Sequence, residues 1–292
     1  MAPGLCTMTR RKFRAESFFR RQIQVSFSIA LFSIRLAAGA YPAAAQTSAS
    51  PETGFVARSF HSPSGETMDY RLFVPPAYDP ARKFPLILWL HNAAGRGTDN
   101  LGQISGWNFP GSHLWTRPEY QAKFPAFVLA PQVDETKAWA RPHANTAPVS
   151  IRLALEILDA VEKEYHIDSD RVYVAGQSMG GEGVWSAMAF APGRFAAAIA
   201  LCGYGFDDMI APDAKVPVWI FQGDADPIVS VKHAREWVAA LRKAGGHPKY
   251  TEYPGVDHKV WDKAFAEPGL VDWLSSQQRQ LSSRKPLNGR EN

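Results

Sequence analysis

The chain has 292 residues, enough for one large α/β domain or two small ones, and its 46% hydrophobic and 21% charged residues exclude global disorder. Its formal charge of +4 comes from the N-terminus, where residues 1–45 carry seven basic side chains against Glu16 alone. The remainder is slightly acidic, so the basic balance gives no ground for expecting a nucleic-acid surface.

In chain order, residues 1–45 read as an export signal rather than structure. A basic stretch precedes an apolar one, and Ala43-Ala44-Ala45-Gln46 is an A-x-A-type cleavage site. Thr9-Arg10-Arg11-Lys12-Phe13 is similar to the twin-arginine signal, so export by that route or by Sec, to the periplasm or outside, is expected. Arg35 interrupts the apolar run, and a membrane span needs about 20 apolar residues, so no stable span is expected. Removing this segment takes Cys6 with it and leaves Cys202 without an intramolecular disulfide partner. Cys202 ends an apolar run and reads as a buried small side chain.

Residues 46–54 are small and polar, a linker, and 55–276 read as a single catalytic domain. Residues 55–75 form a hairpin around Ser62-Pro63-Ser64-Gly65. A continuous apolar run over 85–91 predicts a buried strand that delivers the small-residue loop Asn92-Ala93-Ala94-Gly95. Residues 98–124 show no period and predict a long aromatic loop. A strand over 125–131 leads to a second irregular loop, 139–146. Residues 149–165 have the spacing of an amphipathic helix, with Ile151, Leu155, Leu158 and Val161 on one face. Strands follow over 172–175, 195–202 and 217–223, then a helix over 231–243 and a strand over 250–253. A closing helix spans 259–274, interrupted near Pro268, and the polar tail 277–292 is expected to fray. Alternating β and α predicts an α/β fold: a doubly wound, mostly parallel sheet with an N-terminal antiparallel hairpin and helices on both faces.

The strand over 172–175 runs into Gly176-Gln177-Ser178-Met179-Gly180, a G-x-S-x-G pattern followed by a segment that can start a helix. Strand, strained turn and helix are the context that holds a serine hydroxyl exposed above a sheet, at the positive end of the helix. A serine needs a base, normally histidine, and the histidine needs a carboxylate to fix its tautomer. Two later strand ends supply candidates. Asp226, in Gly223-Asp224-Ala225-Asp226, sits where the loop turns back over the sheet; Asp224 lies closer to the strand, and Asp207 and Asp208 are outside candidates. His258 stands between the last strand and the last helix, whereas His166, His233 and His247 lie in helices or turns. No H-E-x-x-H or cysteine pair suggests a metal, and no phosphate loop suggests a cofactor, so neither is expected. His91 and Gln177, at strand ends, and Trp107 and Trp139, on the aromatic loops, are candidates for lining a substrate cleft.

These motifs, with Leu90-His91-Asn92-Ala93-Ala94-Gly95-Arg96-Gly97-Thr98-Asp99-Asn100, resemble the α/β-hydrolase superfamily. The narrower likeness is to its secreted esterase and predicted-peptidase branch, near feruloyl-esterase-like and polyhydroxybutyrate-depolymerase-like enzymes. The resemblance implies Ser178 as nucleophile, His258 as base and Asp226 as acid. It also implies an oxyanion hole from the backbone N–H of Met179 and of Asn92 or Ala93. Such enzymes usually carry glycine where this chain has Asn92, and often glutamate where it has Arg96. The expected function is an exported serine esterase acting on small-molecule, polysaccharide or polyester substrates, with oligomeric state left open. The alternatives are a peptidase using the same triad, or a noncatalytic carbohydrate- or polymer-binding relative.

Overall fold

The computed structural model describes residues 54–206, 209 and 214–279. The expected export signal, nearly all of the linker, and Asp207 and Asp208 lie outside the described residues. Eight strands form one sheet: β1 Phe55–His61, β2 Thr67–Phe73, β3 Phe84–Leu90, β4 Phe127–Pro131, β5 Ile167–Gln177, β6 Ala197–Leu201, β7 Val218–Gly223 and β8 Lys249–Tyr253, in the order β1-β2-β4-β3-β5-β6-β7-β8. β1 with β2 and β2 with β4 pair antiparallel, and every other pair is parallel. The hairpin is therefore an antiparallel edge on a parallel sheet, as the residues predict.

Strand pleating sends alternate side chains to opposite faces, and both faces are apolar. Leu86, Leu88, Leu90, Val172 and Val174 enter one core, closed by α3 Val149–Glu164, α4 Met179–Phe190 and α5 Val231–Lys243 through Ile157, Trp185 and Trp237. Ile87, Trp89, Tyr173 and Ala175 enter the other. It is closed by α1 Phe109–Leu114, α6 Trp261–Ala264 and α7 Leu270–Ser275 through Leu114, Trp261 and Leu274. A strand buried on both faces reads as an unbroken apolar run, which is why β3 and the centre of β5 are plain in the sequence.

Three expectations are corrected. The segment 98–124 is not one loop: it holds α1 and α2 Pro118–Gln121, and Trp115 is fully buried. Helices this short complete too little of a 3.6-residue period to show one. The closing helix is two pieces, α6 and α7, with Gly269 in the left-handed region (φ 76°) capping the second. The start of the tail is held, while residues 280–292 lie outside the described residues. Tyr173 Oη donates to the Gln277 carbonyl at 2.7 Å, and the Arg279 amide and guanidinium both bond to Asp170, at 2.8 Å to its carbonyl and 2.9 Å to its carboxylate. No described helix is long and apolar enough to cross a membrane.

Candidate active site

The C-terminal ends of the parallel strands converge on Ser178. β5 ends at Gln177, and α4 starts at Met179, leaving Ser178 alone between them with φ 54° and ψ −120°. This is a strained conformation for any residue with a Cβ, of the kind that persists where surrounding structure over-determines it. Two bonds do so here: the Ser178 amide donates to the Leu201 carbonyl at 2.8 Å, and its carbonyl accepts from the Glu182 amide at 3.1 Å. Gly180 is required for the same reason, since a Cβ there would run into the Leu90 carbonyl.

His258, on the loop after β8, places Nε2 at 2.8 Å from Ser178 Oγ and Nδ1 at 2.8 Å from Asp226 Oδ2. A carboxylate can only accept, so Nδ1 carries the proton and Nε2 presents its lone pair to the hydroxyl. Asp226, after β7, is itself buried and satisfied: Oδ1 accepts from the Ile228 and Val229 amides at 2.8 and 2.9 Å, and Oδ2 from Gln222 Nε2 at 3.0 Å. Asp224 has a different task, bracing the Gly255 amide at 2.6 Å. The structure thus brings Ser178, His258 and Asp226 together and leaves Asp224 out.

On the other side of Ser178 lies the loop after β3. Of the two amides expected there, that of Asn92 is engaged, donating to Asn108 Oδ1 at 2.9 Å. Asn92 Oδ1 caps the turn Ala93–Gly95 by accepting from the Ala94 amide, and it also accepts from Asn108 Nδ2. Ala93 is exposed, and its amide, like that of Met179, has no acceptor among the described residues. Of the two amides named for this loop, that of Ala93 is the one left without an acceptor among the described residues. Asn108 was not legible as a site residue, because nothing in 98–124 marks which polar side chain folds back 16 positions.

Three of the four cleft candidates are corrected. His91, Gln177 and Trp139 are fully buried and present no surface to a substrate. His91 Nδ1 donates to the Asn92 carbonyl, and Nε2 accepts from the Val133 amide at 3.0 Å. Burial lowers its pKa to about 4, in keeping with a neutral ring that accepts at Nε2. Trp139 Nε1 donates to the His91 carbonyl, and Gln177 Nε2 to the Trp107 carbonyl. All three hold the loops from beneath. Trp107 is exposed. Glu182, in the first turn of α4, has its pKa raised to about 7 because burial outweighs the charge of Arg96. Cys202 is buried with its thiol pushed up by desolvation. No group of three or more metal-binding side chains occurs among the described residues.

A family model described as "Putative esterase" matches residues 62–268. A solved thermostable esterase is 36% identical with a TM-score of 0.73, over 78% of this chain and 64% of that one. A ferulic acid esterase from Anaeromyces mucronatus, solved with ferulic acid, has a TM-score of 0.55 at 17% identity, over 76% of this chain and 90% of that one. Acyl-protein thioesterase 1 of Neurospora crassa is 32% identical over 113 residues, 35% of this chain and 46% of that protein. The chain thus spans less than two thirds of the thioesterase and of the thermostable esterase. The likeness to the ferulic acid esterase extends to the fold alone, which is of the α/β-hydrolase type.

Proposed function

The chain belongs to this esterase family, and from that premise we propose that it is a serine hydrolase that cleaves carboxylic esters through an acyl-enzyme on Ser178. The observation that carries the proposal is the unbroken chain Ser178 Oγ to His258 Nε2 and His258 Nδ1 to Asp226 Oδ2, each link 2.8 Å. Ser178 Oγ attacks the ester carbonyl while His258 Nε2 takes its proton; the imidazolium then protonates the departing alkoxide. Water repeats the sequence to release the acid. Asp226 holds the tautomer and stabilises the imidazolium, and its own amide bonds keep it fixed. The Met179 and Ala93 amides receive the oxyanion, with the positive end of α4 behind them. Removing one such donor costs about 10²–10³ in rate. The chemistry requires no cofactor or metal. Export is part of the proposal and rests on residues 1–45.

The test is labelling with a fluorophosphonate followed by peptide mapping, with ester and amide turnover measured on wild type and Ser178→Ala. One adduct on Ser178, ester turnover above amide turnover, and loss of both in the variant are expected. Activity retained in Ser178→Ala would overturn the triad, and amide turnover above ester turnover would make the protein a peptidase.

A further inference from the structure

Trp107 is the one exposed tryptophan among the described residues, at 57%. A single exposed aromatic is ordinary; what sets this one apart is how firmly it is held and what it touches. It sits in the turn Gly106–Asn108. Its carbonyl accepts from Gln177 Nε2 at 2.8 Å, one residue before Ser178, and its neighbour Asn108 is pinned to Asn92. Its ring lies 6.2 Å from that of Trp261, inclined by 35°, and Trp261 meets the His258 imidazole edge-on at 5.8 Å. Lys259, next to His258, is exposed and holds Nζ 5.0 Å from the Trp107 centroid. An unbroken line of contacts therefore runs from Ser178 through His258 and Trp261 to an exposed indole with an ammonium over its ring.

The histidine side of the serine is the side from which the alcohol departs, because His258 protonates it. We propose that Trp107 and Lys259 form the subsite for the alcohol portion of the ester, and that this alcohol carries a ring that can stack on an indole and that bears oxygen acceptors, as an alkoxy-substituted benzyl or a pyranosyl alcohol does. The inference rests on the ester-hydrolase reading. A rigid indole stacks on a ring face at little entropic cost, and the flexible Lys259 ammonium leaves the indole to meet an oxygen on the ring.

The test uses one acyl group on three unactivated alcohols: butyl acetate, 4-methoxybenzyl acetate and an acetylated methyl glucoside. Trp107→Ala should lower kcat/KM on a ring ester about tenfold relative to butyl acetate, mainly through KM, and Trp107→Phe should restore most of it. Which ring ester responds tells the aryl source from the sugar. Calorimetric titration of Ser178→Ala and of Ser178→Ala/Trp107→Ala with both ring esters should show about tenfold weaker binding in the double variant for the ester that responds. Equal losses on all three esters, or unchanged binding in the double variant, would overturn the subsite and leave the hydrolase reading standing. Binding that depends on Trp107 in a protein whose wild type hydrolyses none of the three would sustain the subsite and sink the hydrolase reading.

Discussion

Glu182 shows how position at one residue sets a pH dependence. It stands in the first turn of α4, where the helix end favours a negative charge, yet burial prevails and its pKa rises from 4.5 to about 7. The folded protein therefore holds more protons than the unfolded chain between those values. This contribution to stability is complete below pH 4.5 and is lost as pH rises toward 7. Glu182→Gln removes the ionisation, so the melting temperature of the variant should exceed that of wild type above pH 7 and match it near pH 4. A difference of the same size at both pH values would mean that packing, not ionisation, separates the two proteins.

Among the elements, the turn between β5 and α4 is the most constrained. Gly180 lies against the Leu90 carbonyl, where a Cβ has no room, and the obstacle is backbone that cannot rotate away. Gly180→Ala should cost about 1–3 kcal/mol of stability by overpacking, read as a shift in the urea midpoint, and should lower activity further by tilting α4 away from Ser178. Unchanged midpoint and activity would show that the helix is free to slide. The same element explains what the sequence makes legible. G-x-S-x-G after a buried run marks Ser178, and order along the chain marks Asp226 and His258: Ser178 and Asp226 follow strands whose apolar character is set by burial on both faces, and His258 follows the last strand. The pieces that escape detection are set by tertiary contact. Asn108 acts through a bond to Asn92, α1 packs against Trp89 at Gly111, and α2 is held by Gln121 on the Trp115 and Ala126 carbonyls, none of which a local pattern announces. Trp139 and His91 look like cleft residues for the same reason: their positions, on a loop and at a strand end, are visible in the sequence, but the tertiary packing that buries them is not.

At the scale of the whole molecule, the site is assembled from the loop after β3, the β5–α4 turn and the loops after β7 and β8, and these segments do not share equal footing. Ser178 follows a central strand with neighbours on both sides, whereas His258 follows β8, which pairs only with β7 and whose residues are half-buried or exposed. Its outer margin is held by Lys249 Nζ over the Trp219 ring at 3.2 Å and by the Arg235–Glu252 ion pair at 2.6 Å. Partly exposed charge contacts of this kind hold weakly. A strand at a sheet margin, as β8 is, therefore opens its backbone amides before the central strands do, without the rest of the sheet. Deuterium exchange should find β8 amides exchanging well ahead of those in β3 and β5, and heat should abolish turnover at a temperature below the global unfolding midpoint. Exchange in step with the central strands would refute this. Ser178 is anchored in the bedrock of the molecule while its proposed base hangs from the eaves, so inactivation by mild heat should be a detachment that cooling reverses.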